Sequence, residues 1–452
     1  MLFHTYPFLF LFLPTALLLY WAAADELRPS VLLVVGTSFY AFAGLHQLAL
    51  LLTMTFLTFG AVRLLSGPAP SRSRLGLAVL ALNLAVLLAF KLAGTPWFSA
   101  AGVALPLGLS FYTFNLVGHG LDVYRRRTPA APSFVSLASY ATFFPTVAAG
   151  PLLRFDDFER QRLAPRRFDA ALLELGLLGL IVGLAKKVLV ADPLGVAVEP
   201  LFADYERLGL WDAWLAALGY AYQLYFDFSG YTDMATGIAA LLGFRLPQNF
   251  NAPYTAVHIA DFWQRWHMTM SQWFRDYLFL PLSRALLRRS TSLDRADRIR
   301  GLCLVLTMVA IGLWHGTTWS FLAWGLYHGL LLAGHAQLRA AWRRPMPAWA
   351  SRAITFLAVL AGWVLLRSPS PEMALRIWEA MLGLHGWGER ALRTGGTLGL
   401  AVCLLLVVTN TRAESSLLRP RRSRGQAWSL AALFVLSLLA LGGRSPFLYF
   451  QF

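Results

Sequence analysis

Gly312-Leu313-Trp314-His315-Gly316-Thr317-Thr318-Trp319 sets one histidine between two apolar runs, Leu302 to Leu313 and Phe321 to Ala333. An ionisable side chain at bilayer depth is expensive to hold and marks a functional site by default. The competing reading is a histidine that hydrogen-bonds between helices as packing glue. The neighbours favour the site. Trp314 precedes His315 and Gly316 follows it, and thirteen residues on, Tyr327-His328-Gly329 repeats the arrangement. Small residues allow close approach of a backbone or substrate, and aromatic walls suit a tunnel.

Working outward, the chain of 452 residues is 57% hydrophobic and 14% charged, with a mean hydropathy of +0.56. That is too apolar for one or two soluble domains, and several runs approach the ~20 apolar residues a spanning helix needs. The net charge of +16 is concentrated in short loops, the pattern of cytoplasmic connections rather than of a nucleic-acid surface. The 2 cysteines, Cys303 and Cys403, sit in apolar runs and support neither disulfides nor a metal site. A covalent acyl-cysteine at Cys303 is the one chemical use open to them.

In chain order, Phe8 to Ala24 lacks a preceding basic residue and reads as an uncleaved first helix. Val31 to Ala43 and Leu48 to Val62 follow, then a basic, turn-rich connection with Arg63, Arg72 and Arg74. Leu75 to Leu92 crosses outward and Pro106 to Leu121 returns to Arg125, Arg126 and Arg127. Tyr140 to Leu153 is too short to span and is broken by Pro145, Gly150 and Pro151, as a re-entrant segment would be. Arg154, Arg160, Arg162, Arg166 and Arg167 return it to the basic side. Leu172 to Val190 spans again, with Lys186 and Lys187 read as snorkelling at its far end. Trp211 to Phe226 crosses back, and Asp227-Phe228-Ser229-Gly230-Tyr231-Thr232-Asp233 is expected to break that run, its aspartates capping helix ends or orienting a catalytic group.

From Asn249 to Leu282, Phe262, Trp263, Trp266, Met270, Trp273, Phe274 and Tyr277 recur at helical spacing, with Asp261, Arg265, Gln272, Arg275 and Asp276 on other faces. The pattern predicts an amphipathic helical segment that brings His267 to the apolar side. Arg284 to Arg300 reads as a cytoplasmic loop, and Arg339, Arg343 and Arg344 close the run after His328. Ile354 to Leu366, Leu398 to Val408 and Trp428 to Leu441 complete the set, with Arg412 to Arg424 inside and Phe452 outside. The expectation is an all-α polytopic membrane protein with about 11 transmembrane helices plus re-entrant and amphipathic helices. It forms a single integral membrane domain over 1–452, with a motif core at 105–330 and C-terminal helices at 350–442, and no sequence repeat.

A mid-membrane histidine with a second one nearby suits proton abstraction from a hydroxyl attacking an acyl carbon. No His-Glu-x-x-His, Gly-x-Ser-x-Gly or phosphate-binding Gly-rich loop is present, so no metal and no tightly bound cofactor are expected. A proton-coupled transporter is the rival reading, though the paired interrupted helices of two related halves are not found.

Leu224-Tyr225-Phe226-Asp227-Phe228-Ser229-Gly230-Tyr231-Thr232-Asp233-Met234, Asn249-Phe250-Asn251-Ala252-Pro253-Tyr254, Asp261-Phe262-Trp263-Gln264-Arg265-Trp266-His267-Met268-Thr269-Met270-Ser271 with Trp273-Phe274-Arg275-Asp276-Tyr277, and Leu313-Trp314-His315-Gly316 occur in that order. Together they resemble the membrane-bound O-acyltransferase family, in its alginate O-acetylation branch, related to the teichoic acid D-alanyl transferases. The similarity runs from Phe8 to about Leu366.

The resemblance implies a ring of helices around a tunnel, with His315 at the constriction and His267 near it on the cytoplasmic side. It implies an acyl group, acetyl by family weight, passed from a cytoplasmic thioester donor, acetyl-coenzyme A or an acyl carrier protein, to hydroxyls outside a bacterial inner membrane. The other partners it implies are membrane lipids, a polysaccharide and periplasmic acetyltransferase proteins. His315 would be general base and His267 would position the donor or relay a proton. Trp314, Asn249, Asp227, Asp233, Arg275, Asp276 and His328 would bind or orient substrate, His328 with packing as its alternative. Thr146, in Phe144-Pro145-Thr146-Val147, stands where the alginate branch is expected to carry histidine, which weakens alginate as the acceptor and makes another extracellular polysaccharide equally plausible.

Overall fold

A computed structural model of the protein describes residues 2–93, 105–164, 169–288, 292–341, 346–388, 423–442 and 447–448. Among them every regular element is helical and there is no strand. The crossing expected over Leu398 to Val408, Cys403, Arg166, Arg167, Arg343, Arg344, the arginines from Arg412 to Arg422, and Phe452 lie outside the described residues.

Three described helices, Leu45–Ser66, Pro70–Ala93 and Ala348–Arg367, are long and apolar enough to cross a bilayer by length and composition. Phe8–Ala22 and Arg424–Leu439 are apolar but shorter. Several expected runs extend beyond their apolar centres, to Leu109–Tyr124, Leu293–His315 and Trp319–Ala341. The Arg284 to Arg300 stretch is therefore only partly loop. Leu280–Leu287 is helical, and the Ser292 hydroxyl accepts the Arg295 N–H at 3.3 Å and starts the next helix there.

The Asp227 to Asp233 stretch does not break its run, which lies inside one continuous helix, Leu210–Leu241. Its aspartates are neutralised in place, and so are the lysines expected to snorkel. Lys187 Nζ reaches Asp227 at 2.6 Å and Asp192 at 2.7 Å, and Lys186 Nζ reaches Asp233 at 2.7 Å. Both lysines lie in a π-helical turn, Lys186–Ala191, and both are buried. Paired charge is what allows ionisable groups at this depth without a helix end to hold them.

Glycine sets two tight pairings. A Cβ on Gly237 would lie 2.6 Å from the Gly176 carbonyl oxygen, drawing Leu210–Leu241 against Ala170–Ala185. A Cβ on Gly325 would lie 2.6 Å from the Met308 carbonyl oxygen, closing the hairpin of Leu293–His315 and Trp319–Ala341. The hairpin is what carries His315. Helix Pro371–Met381, not anticipated because Glu372, Arg376 and Glu379 interrupt its apolar residues, packs Ala374, Ile377 and Ala380 inward and accepts Trp214 Nε1–H at Met381.

Candidate active site

His315 is the last residue of Leu293–His315, and the extended Gly316 ends the helix there. It is 8% exposed. Its ring lies 4.6 Å from that of Trp314 and meets Trp324 edge-on at 5.3 Å. Trp314 also faces the second histidine, with 6.3 Å between its ring and that of His267. The two histidines thus share one aromatic wall, filled out by Phe111, Phe114 and Phe274.

His267 arrives there by a different route from the one its spacing suggested. The Asn249 to Leu282 stretch is not one helix but Ile259–Trp263, Met268–Phe274, the π turn Arg275–Phe279 and Leu280–Leu287. His267 sits at the first break with φ 44°, in the left-handed region that few non-glycine residues occupy. Met268 N–H donates to the Asn249 carbonyl at 2.9 Å and holds the turn.

Asn249 fixes the ring as well. Its Oδ1 accepts the Thr269 N–H at 3.3 Å and the Thr269 hydroxyl at 2.9 Å, so the oxygen end of the amide is identified by its donors. His267 Nδ1 lies 3.1 Å from the same oxygen. Nδ1 therefore carries the hydrogen of the neutral ring and the lone pair sits on Nε2. A left-handed residue held by a buried amide is backbone strain maintained by its surroundings, a common property of working sites.

A cavity of about 250 Å³ adjoins His315, with Trp314, Phe111, Ser110, Gln47 and Lys91 in its wall. A second, of about 480 Å³, lies one to two turns nearer the arginine-bearing start of Leu293–His315, bounded by Met308, Ile311, Trp263, Met268, Phe274 and Arg275. Phe274, in the wall of the second, has its ring 6.2 Å from that of Trp314, in the wall of the first. Chemically the arrangement offers an imidazole in the wall of the smaller chamber, and a larger chamber toward the basic loops whose lining is apolar in greater proportion.

The remaining expected residues are dispersed. Asp227 and Asp233 are engaged by lysines, although Phe228, beside Asp227, meets His267 edge-on at 4.7 Å. His328 is fully buried among Trp263, Trp324, Tyr327 and Trp363, and neither ring nitrogen has a hydrogen-bond partner among the described residues. Arg275 Nε pairs with Asp276 at 2.9 Å while also lining the larger cavity.

Asp276 belongs to a cluster that sequence reasoning missed. Arg154 bridges Asp276 and Asp122, the latter at 3.1 Å, and the Tyr277 hydroxyl donates to Asp122 at 2.6 Å. His119 lies one turn away, its ring 4.1 Å from Phe155, in the wall of a cavity of about 90 Å³ shared with Thr269. His119 and Asp122 lie in or next to the run Pro106 to Leu121, and the argument applied to His315 would have found them. Among the described residues no group of three or more His, Cys, Asp or Glu could hold a metal ion.

Residues 38–366 match the family model described as MBOAT, membrane-bound O-acyltransferase family. The chain is 35% identical to "Probable alginate O-acetylase AlgI" of Pseudomonas putida, with 100% of each chain covered. It is 33% identical to the peptidoglycan O-acetyltransferase of Helicobacter pylori, over 85% of this chain and 80% of that one. It is 32% identical to the teichoic acid D-alanyltransferase of Streptococcus thermophilus, over 52% of this chain and 57% of that one.

Proposed function

The chain belongs to the membrane-bound O-acyltransferase family, and from that premise we propose that it passes an acetyl group from a thioester on the arginine-rich, cytoplasmic face to a hydroxyl of an envelope polysaccharide outside. The observation that carries this reading is the aromatic wall of Trp314 that joins His315 and His267, with His315 opening on the smaller chamber. The donor is acetyl-coenzyme A or an acetylated carrier protein, entering by the larger chamber. The acceptor enters by the smaller one. His315 takes the proton of the attacking hydroxyl, the new ester C–O bond forms, the thioester C–S bond breaks, and the proton passes to the departing thiolate. His267, held by Asn249, positions the donor. Arg275, paired with Asp276, lines the donor chamber.

The same reading gives a single domain of about eleven crossings around a tunnel, multi-pass in a bacterial inner membrane. The receiving chain itself or a periplasmic acetyltransferase partner completes the modification, and the polymer is alginate or, given Thr146, another extracellular polysaccharide.

The test compares purified wild type with His315→Ala and His267→Ala for thiol release from acetyl-coenzyme A or acetylated carrier protein in the presence of polysaccharide. Removing a general base costs about 10²- to 10⁴-fold in rate. A loss of that size in His315→Ala with an unchanged thermal melt supports the reading, and full activity in that variant rejects it.

A further inference from the structure

The chamber beside His315 contains a cation and no anion. Its polar side chains are Lys91, Gln47, Ser110 and His315, and none of its lining residues is acidic. Among the described residues Lys91 Nζ makes one hydrogen bond, to the His315 carbonyl oxygen at 3.4 Å, near the limit of such a contact. It forms no ion pair among the described residues. Residues 94–104, which follow it, include no Asp or Glu. Gln47 uses its Oε1 to accept the Leu107 N–H at 2.9 Å, so its remaining polar group is a donor. The positive end of helix Leu109–Tyr124 opens on the same space through Gly108, Leu109 and Ser110.

The contrast with the other lysines is informative. Lys186 and Lys187 are matched to carboxylates at ion-pair distance, whereas Lys91 lies part-buried beside the candidate base with only a carbonyl for company. An ammonium kept out of bulk water without a counter-charge is costly, and an arriving anion offsets that cost. The chamber's position decides which substrate brings the anion. It lies at the ends of Pro70–Ala93, Leu109–Tyr124 and Leu293–His315, whose opposite ends carry or adjoin Arg72 and Arg74, Arg125 to Arg127, and Arg295 and Arg298. That is the side away from the basic loops, the acceptor side of the reaction.

We propose that Lys91 is a specificity-determining residue for an acceptor whose reactive hydroxyl neighbours an anionic group, a carboxylate or a phosphate. The ammonium holds that group so that the hydroxyl stands at His315. This assignment rests on the acyltransferase reading above.

The test measures acyl transfer by wild type, Lys91→Met, Lys91→Arg and Lys91→Glu from one thioester donor to three oligomers of equal length: a uronate, a phosphodiester-linked polyol and a neutral hexose. Lys91→Met is expected to raise KM for an anionic oligomer about tenfold or more while kcat and the KM for the neutral one move far less. Lys91→Arg restores the anionic KM and Lys91→Glu worsens it further. Which anionic oligomer responds identifies carboxylate or phosphate. Equal KM changes on neutral and anionic oligomers, or no change on any, overturn the assignment of Lys91 alone. Wild type that acylates none of the three overturns the acceptor-side reading and this proposal together.

Discussion

Asn249 spends one side-chain oxygen on three hydrogen-bond contacts, and His267 depends on it for both turn and tautomer. Replacing it by Leu leaves the buried Thr269 groups and Nδ1 unmatched, at a cost of about 1–3 kcal/mol each in the worst case. Asn249→Leu is expected to lower the thermal melt and to reduce turnover by about 100-fold, the scale of a displaced reacting group. Asn249→Asp, which keeps the acceptor, should retain more of both, and parity between the two variants would remove the hydrogen bond from the account. The histidines themselves were legible, because aromatic and glycine neighbours around an ionisable residue in an apolar run are rare. The conformation of His267 was not, since periodicity assumes that a helix continues and φ 44° ends one. Lys91 escaped notice because a lysine at the end of an apolar run looks like an interfacial anchor.

Helix pairings explain where the sequence reading went astray and where it did not. Asp227 and Asp233 looked like helix breaks because their partners, Lys186 and Lys187, lie some forty residues earlier. Long-range neutralisation leaves no local trace. The broken stretch Tyr140 to Leu153 was visible from its prolines and glycine, and it lies as Phe134–Ala141, Phe144–Val147 and a buried irregular tail. That tail is tied down where the Tyr140 hydroxyl donates to the Leu153 carbonyl at 2.5 Å and Leu152 N–H donates to Thr269 at 3.0 Å. Close packing of Leu210–Leu241 on Ala170–Ala185 gives a sharper test. In Gly237→Leu the new side chain has no room against Gly176 and Leu180, and overpacking of this kind costs about 1–3 kcal/mol. The variant should melt lower in detergent and lose activity in proportion, whereas an unchanged melt would mean the pairing is looser than described.

For the whole molecule, alternating apolar runs and arginine clusters made the helical class readable, and the runs expected over Leu48 to Val62, Leu75 to Leu92 and Ile354 to Leu366 fall within the three described helices long and apolar enough to cross a bilayer. Helix lengths were not, because polar first turns such as Arg295 to Arg300 continue a helix that hydropathy alone cuts short. The chain-wide claim is that acetyl moves from the arginine-rich face, past Trp314 and His315, to the opposite face. Its direct measurement uses proteoliposomes in which Arg125→Cys, with Cys303 and Cys403 replaced by Ala, reports orientation, with acetyl thioester supplied on the residue-125 side and acceptor oligomer sealed on the other. The account predicts acetyl ester on the sealed oligomer, thiol release confined to the donor side, and neither in His315→Ala. Acetylation only of oligomer on the donor side, or passage of a solute with no ester formed, would contradict it.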